Sequence, residues 1–599
     1  MPFSLDLAAL RAAYADGSLT PTALVDELLR RIATHADPAV WIRLLSRDEL
    51  LVHARRLESL DRSTLPLYGV PFAIKDNIDL TGVPTTAGCP EFAYTPADSA
   101  PVVQRLLDAG AIPVGKTNLD QFATGLVGVR SPYGVPRNPF RADLIPGGSS
   151  SGSAVAVAAG LASFSLGTDT AGSGRIPAGL NNLVGFKLTK GALSTRGVVP
   201  ACRSLDCVSI FALTCGDAAD VARVAEAFDP EDSFSRSRAT TTSAPASLRV
   251  GVPEPTALEF FGDAEAERLF RENLSRITAL GAQLVEIDFS PFREAAALLY
   301  QGPWVAERWA ALRAFHQKNA DAFFPVTRKI VEGAANLSAA DTFEGFYRLA
   351  ALARRAAAEW EKMDVLLVPT APRPYTVAEV AAEPLLLNTR LGTYTNFVNL
   401  LDLAALAVPA GIRRDGAPWG VTFIAPAWSE PTLLALAARW HAAIGGKLGA
   451  TSHPLPPAPS SPPTATTAAP TTIQLAVVGA HLSGLPLNHQ LTDRGARLVW
   501  SGNTAPVYRL HALPNSTPPK PGLVRVADGG ASIAVEVWEL PVAAFGSFVA
   551  AVPSPLCIGT VVLATGESVK GFLCEPAALA GAEDITRFGG WRAYLARSV

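Results

Sequence analysis

The sequence predicts an α/β protein with a smaller, mostly β domain at its C-terminal end. Three observations predict it. Between residues 66 and 300, short apolar runs alternate with segments of helical periodicity, the pattern of a layered α/β domain. From 451 to 472 the composition changes to Pro, Ser, Thr and Ala, an extended tract that cannot bury a core. Beyond it, short β-like runs separated by turn signals fill residues 473–599. At 599 residues the chain exceeds one ordinary core, so a first domain over 1–447, a linker over 448–472 and a second domain over 473–599 are expected.

Taken in order, residues 1–60 read as helices. Leu5–Asp16 and Thr20–Thr34 carry apolar residues at helical spacing, with Thr20 or Pro21 as a start signal. Strands are expected at Gly69–Ile74, Ile112–Gly115, Ser163–Gly167, Leu248–Val252 and Leu284–Phe289. Helices are expected at Val102–Gly110, Ser153–Ala162 and Ala264–Leu280, and they dominate from 290 to 362. Val365–Pro369, Leu406–Pro409 and Val421–Ile424 read as buried strands, and Glu430–Ile444 as a closing helix. In the second domain, β-runs are expected at 473–479, 497–500, 507–510, 523–526, 533–540 and 559–563. Asp528-Gly529 and Thr565-Gly566 are the hairpin turns.

Composition excludes several classes. Apolar residues make up 49% of the chain and charged residues 18%, with a net charge of −3, so there is no basic excess to hold nucleic acid. The uncharged run Leu144–Thr168 is crowded with Gly and Ser, unlike a membrane span. The six cysteines form no CxxC pairs and read as reduced, mostly buried thiols of a cytoplasmic protein. The first residues show no basic segment followed by an apolar one, so no signal peptide is read.

The chemistry centres on two Gly/Ser clusters, Gly147–Ser153 and Gly172–Gly174. Glycine lets backbone approach a ligand closely, and consecutive N–H groups in such turns form a concavity for negative charge. A hydroxyl there becomes a nucleophile if a base removes its proton. His35, His53, His316 and His441 of the first domain all lie far from these clusters in sequence. Lys75 follows the apolar run that begins at Gly69, so it is carried to the end of a buried strand, where desolvation favours the neutral amine. Position alone favours a lysine reaching from a strand end into solvent.

Taken together, Lys75-Asp-Asn, Gly115–Asn118, Gly147–Ser153, Gly167–Pro177 and Asn182–Lys187 resemble the amidase signature family in sequence and order, across roughly residues 20–445. The resemblance implies a central mixed β-sheet covered by helices and a Ser–cisSer–Lys triad. Block by block, it places the nucleophile at Ser173, the bridging serine on a cis peptide at Ser149, and the base at Lys75. It also places the oxyanion donors at the backbone N–H groups of Thr170, Ala171, Gly172 and Ser173. Ser151 and Ala171 stand where the family pattern has glycine; neither change removes a hydroxyl or a backbone donor. Gly148–Gly152 also matches the G-x-S-x-G elbow with Ser150 as nucleophile, but an elbow needs a strand just before it, and residues 137–146 read as loop.

The stretch Leu298–Trp309, together with Asn118–Gly134, resembles the allophanate hydrolase branch of that family. This resemblance implies that Tyr300, Arg308 and Gly125 bind the substrate. That substrate would be allophanate, a small anionic amide whose carboxylate suits a bidentate guanidinium. On the residues alone, Arg308 reads better as a surface ion pair with Glu307 or another acid, and Tyr300 as a core aromatic. A urea carboxylase as functional partner, a homodimer and the absence of any metal or organic cofactor are further implications. A general amidase or an amidotransferase-type subunit is the alternative. Gly479–Asn488 and Lys570–Glu575 resemble the C-terminal domain of the same branch, a fold related to γ-glutamyl cyclotransferases. There His481 and Glu575 are the candidate site residues, either for decarboxylating an intermediate or as ordinary loop residues.

Overall fold

A computed structural model describes residues 3–238, 248–456, 472–514 and 516–598. The chain divides into two compact units, Met1–Ala458 and Pro459–Val599. Most of the Pro/Ser/Thr tract read as a linker, residues 457–471, lies outside the described residues.

The first unit holds one 11-stranded mixed sheet. Its strands are β1 (Trp41–Leu44), β2 (Pro71–Lys75), β3 (Ile112–Thr117), β4 (Phe164–Asp169), β5 (Val184–Lys187) and β6 (Cys207–Ala212). They continue with β7 (Arg249–Pro253), β8 (Gln283–Ile287), β9 (Val365–Pro369), β10 (Leu403–Ile412) and β11 (Pro418–Pro426). Their order across the sheet is β1-β3-β2-β4-β6-β5-β10-β11-β9-β7-β8. The pairs β2–β3, β2–β4, β7–β8 and β7–β9 are parallel. Parallel strands covered on both faces read as continuous apolar runs, which is why β2, β3, β4 and β9 are visible in the sequence. Every residue of those four strands is buried. Thr20 caps its helix as expected: its side chain accepts from the N–H of Ala23, with Pro21 at the first helical position.

Three expectations are corrected. Trp41–Leu44 is a strand inside the stretch read as helical; it pairs antiparallel with β3, and four residues are too few to show a period. β5 and β6 lie outside the expected strands, yet each pairs with the other and extends the sheet. Residues 448–455, read as the start of the linker, pack on the first unit. Leu448 is buried, Ala450 N–H donates to Ala158 O, and Asn182 donates to Lys447 O and Gly449 O.

The second unit has a five-stranded and a three-stranded sheet. They are built from β12 (Thr472–Val477), β13 (Arg497–Asn503), β14 (Tyr508–Ala512), β15 (Pro521–Arg525), β16 (Ala534–Pro541), β17 (Leu556–Val562), β18 (Ser568–Cys574) and β19 (Glu583–Asp584). The orders are β13-β16-β12-β18-β17 and β15-β14-β19. Leu475, Val477, Tyr508, Leu510, Val537, Leu540 and Trp591 lie in its core. β17 and β18 pair antiparallel across Thr565-Gly566, where Gly566 has φ 89°, as the turn signal predicts. β18 itself is not among the expected strands.

Candidate active site

Lys75 closes β2, and Thr168 and Asp169 close β4. The strands run parallel with Ile74 opposite Leu166, so their carboxyl ends meet. At that seam Lys75 Nζ lies 2.7 Å from Ser149 Oγ and 2.7 Å from Thr168 Oγ1. Lys75 is 0% exposed. The adjacent acid cannot serve as its counter-ion, because Asp76 is paired with the buried Lys116 at 3.0 Å. With hydroxyl partners only, burial lowers the Lys75 ammonium from its ordinary value to about 7. The charges of Asp120, Asp206 and Asp169 limit the fall.

Ser149 follows a cis peptide bond from Gly148. A Cβ at Gly148 would sit 2.1 Å from Asp120 Oδ2, so the turn admits only glycine there. Gly148 N–H donates to Leu126 O (2.8 Å), and Ser149 O accepts from Asp120 N–H (3.0 Å). The helix Ser151–Ala158 starts directly afterwards and is buried throughout, which explains its unbroken run of small and apolar residues. Ser150 Oγ donates to Thr168 O at 3.2 Å, and residues 137–149 form no strand. The context required by an elbow nucleophile is therefore missing.

Ser173 lies in the turn after β4. That turn closes around Asp169, which accepts from Gly172 N–H (2.9 Å), Gly174 N–H (3.0 Å) and both Nε and Nη2 of Arg175. Asn399 ties the same loop down by donating to Asp169 O (2.8 Å) and Leu205 O (2.9 Å). Gly172 has φ 131°, and a Cβ there would lie 2.4 Å from Thr395 Oγ1. Ser173 Oγ donates to Gly125 O at 3.4 Å. The structure thus joins Lys75 to Ser149, while no hydrogen bond links Ser149 to Ser173 among the described residues. Of the four expected oxyanion amides, Gly172 N–H is already held by Asp169, a correction to the sequence reading. The amides of Thr170, Ala171 and Ser173 have no acceptor among the described residues.

Arg308 is buried beside this site and donates from Nη1 to Thr124 Oγ1 at 3.0 Å. It makes no salt bridge among the described residues, and its positive charge helps depress Lys75. Glu307, its expected surface partner, instead accepts from Ser204 N–H (2.9 Å) and Ser204 Oγ (2.7 Å). Tyr300 is half-buried, and Arg308 Cζ stands 5.7 Å from the centre of its ring.

Sequence reasoning missed Thr168, Thr124, Arg130, Asp120 and Asp206. Asp206 accepts from Thr170 Oγ1 (2.5 Å), Ala201 N–H (2.8 Å) and Cys202 N–H (3.1 Å). Burial pushes its carboxyl up to about 6 against those bonds. Asp206 lies in none of the stretches that carry the motifs. Nothing local marks the other four as polar groups of a buried site.

In the second unit, His481 lines a cavity of about 250 Å³ with Gln490, Lys520, Phe548 and Phe572. Its Nε2 lies 3.0 Å from Gln490 Oε1, and its ring stacks on Phe572 at 4.9 Å. Burial lowers its pKa below the usual imidazole value. Glu575 does not bound this cavity: it is exposed just past β18, a second correction. Among the described residues, the buried acid of this unit is Glu536, which accepts from Ser483, Trp538 and Arg592 on the wall of a separate cavity. Among the described residues, no cluster of His, Cys, Asp and Glu could hold a metal, and no helix is long and apolar enough to cross a membrane.

Comparison with known proteins shows the family. Residues 23–434 match the Amidase family, and residues 473–596 match the Allophanate hydrolase C-terminal domain. Urea amidolyase of Saccharomyces cerevisiae is 47% identical over 574 residues, 93% of this chain and 31% of that protein. A glutamyl-tRNA(Gln) amidotransferase subunit from Acidobacterium capsulatum is 34% identical over 478 residues, 72% of this chain and 98% of that protein. A solved structure of Kluyveromyces lactis allophanate hydrolase superposes with a TM-score of 0.74 at 43% identity, covering 100% of both chains. The chain spans about a third of the length of the urea amidolyases that it matches.

Proposed function

From its place in the amidase family, to which the chain belongs, and its allophanate hydrolase C-terminal domain, we propose that it hydrolyses the terminal amide of allophanate. The observation that carries this reading is Arg308: a buried guanidinium with no carboxylate partner among the described residues, in a site whose lysine bonds only to hydroxyls. A substrate carboxylate would supply the missing charge.

In the proposed reaction, neutral Lys75 takes the proton of Ser149 as Ser149 takes that of Ser173. Ser173 Oγ attacks the terminal amide carbon, and the amides of Thr170, Ala171 and Ser173 face the oxyanion. Collapse breaks the C–N bond, and the proton returns through Ser149 to the departing ammonia. Water then hydrolyses the acyl-enzyme, leaving an N-carboxylated carbamate that decays to CO2 and ammonia. We assign His481 and its cavity to that decarboxylation, with a proton moved by the imidazole.

The proposed setting is a cytoplasmic homodimer supplied with substrate by a urea carboxylase. A neutral amide, or amide transfer as in the amidotransferase relatives, is the second reading, favoured by their match along nearly their whole length. The test is ammonia release from allophanate against neutral amides such as propionamide, for wild type and Arg308→Ala. Loss of allophanate turnover with neutral amides spared supports the first reading; unchanged allophanate turnover refutes it.

A further inference from the structure

Two guanidinium groups converge on one residue beside the site. The hydroxyl of Thr124 accepts from Arg308 Nη1 (3.0 Å), and its carbonyl accepts from Arg130 Nη1 (3.0 Å). The hydroxyl proton is committed elsewhere, to Phe122 O at 3.1 Å, so only a lone pair faces Arg308. All three residues are buried. Arg130 also lacks a salt bridge among the described residues: Nη2 donates to Pro384 O (2.7 Å), and the buried Nε has no partner. The nearest acid in sequence, Asp120, accepts from the backbone amides of Gly128 and Arg130 instead, both at 2.9 Å.

The segment before Thr124 is unusual. Phe122 and Ala123 both have φ 51°, and both are buried. Two consecutive left-handed residues that are not glycine persist only where the surroundings impose them, and such segments cluster at binding sites. Phe122 N–H donates to Ala87 O (2.8 Å), Gln121 N–H donates to Arg130 O (2.7 Å), and Thr124 N–H donates to Gln121 O (3.0 Å). The following residue, Gly125, accepts from Ser173 Oγ. One two-residue segment therefore anchors both cations and the resting hydroxyl of Ser173.

We infer that Thr124 is a positioning residue that sets the Arg308 guanidinium at a fixed distance from Ser173, with Arg130 as a second cation behind it, so that the site selects amides carrying a carboxylate. The like charges of Arg130 and Arg308 repel in a medium of low dielectric, and a bound carboxylate relieves that repulsion. The long arginine side chain has many rotamers, and the Thr124 hydroxyl confines it before substrate arrives.

This inference rests on the anionic-substrate reading, and the experiment separates the two. Thr124→Val keeps the volume and the carbonyl that holds Arg130 but removes the hydroxyl that holds Arg308. KM for allophanate should rise roughly 10–100-fold, the loss of one hydrogen bond to a charged group, while kcat stays within about threefold. Propionamide kcat/KM should fall by a clearly smaller factor than allophanate kcat/KM, and Thr124→Ser should restore the low KM. The inference is overturned if Thr124→Val keeps the allophanate KM, if both substrates suffer alike, or if Thr124→Ser behaves like Thr124→Val. A wild-type enzyme that does not prefer allophanate to propionamide overturns the functional reading, and this inference with it. A preference for allophanate that is undiminished in Thr124→Val overturns this inference alone.

Discussion

Asp169 and Arg175 form a fully buried, two-point ion pair, with Nε and Nη2 each 2.9 Å from a carboxylate oxygen, and the turn that they close carries Ser173. A buried pair of this kind contributes little net stability, yet breaking it leaves one charge alone. Asp169→Asn should therefore destabilise the first unit by about 3–5 kcal/mol. The double variant Asp169→Asn with Arg175→Met should recover much of that loss without recovering activity. Urea unfolding read beside ammonia release separates the two effects; equal stability of single and double variants would contradict this account.

Removing the base or the nucleophile should abolish turnover and spare the fold. Lys75→Ala and Ser173→Ala should each lower kcat by about 10²–10⁴ or more. Because the proposed relay acts as a unit, the double variant should be no worse than the poorer single one. Multiplicative losses would mean that the two groups work independently.

The pH profile follows from the lowered Lys75 pKa of about 7. Only the neutral amine accepts a proton. On a neutral amide, kcat/KM should fall about tenfold per pH unit below that value and level off above it. A profile flat from pH 5 to 8 would exclude Lys75 as the base.

Stability should have its own pH dependence through Asp217. This carboxyl is buried against the helix Leu7–Ala15, accepts from Leu7 N–H at 3.2 Å, and is pushed up to about 7 by burial, with Asp6 adding to the shift. A folded pKa above the unfolded one gives stability that is full below the unfolded value of about 3.9 and lost as pH rises through 7. Asp217→Asn should remove that part of the slope, so its stability relative to wild type should be greater at pH 8 than at pH 5. Parallel curves in urea titrations at the two pH values would refute this.

His481→Ala should leave ammonia release from the amide step intact and slow CO2 release. Coupled assays of both gases decide it. A parallel loss would mean that the second unit supports the first step.

How much of this can be read in the chain depends on distance along it. Lys75, Ser149 and Ser173 are legible because each sits in a compact motif whose order is distinctive. The strands β2, β4 and β9 are legible because burial on both faces leaves continuous apolar runs. β1 is not, since four half-buried residues carry no period. Thr124 is not, because its partner Arg308 lies 184 positions away and only the folded sheet brings them together. Glu575 misleads for the opposite reason: it ends a strand-like run, but which acid faces the cavity depends on pleat and register rather than on proximity in sequence. Glu536, the acid that is buried, sits on β16 beside a separate cavity.

The complete burial of Lys75 has a consequence for timing. A proton that reaches this amine is cut off from bulk solvent; its neighbours are the hydroxyls of Ser149 and Thr168, and in the proposed relay it leaves through Ser149. In the proposed cycle, the proton lent at the attack is the one handed to the departing nitrogen, and the solvent exchanges with the relay only while the site stands open between substrates. Acidity of the medium would then decide how many molecules are ready to start, and leave those already under way to finish at their own pace.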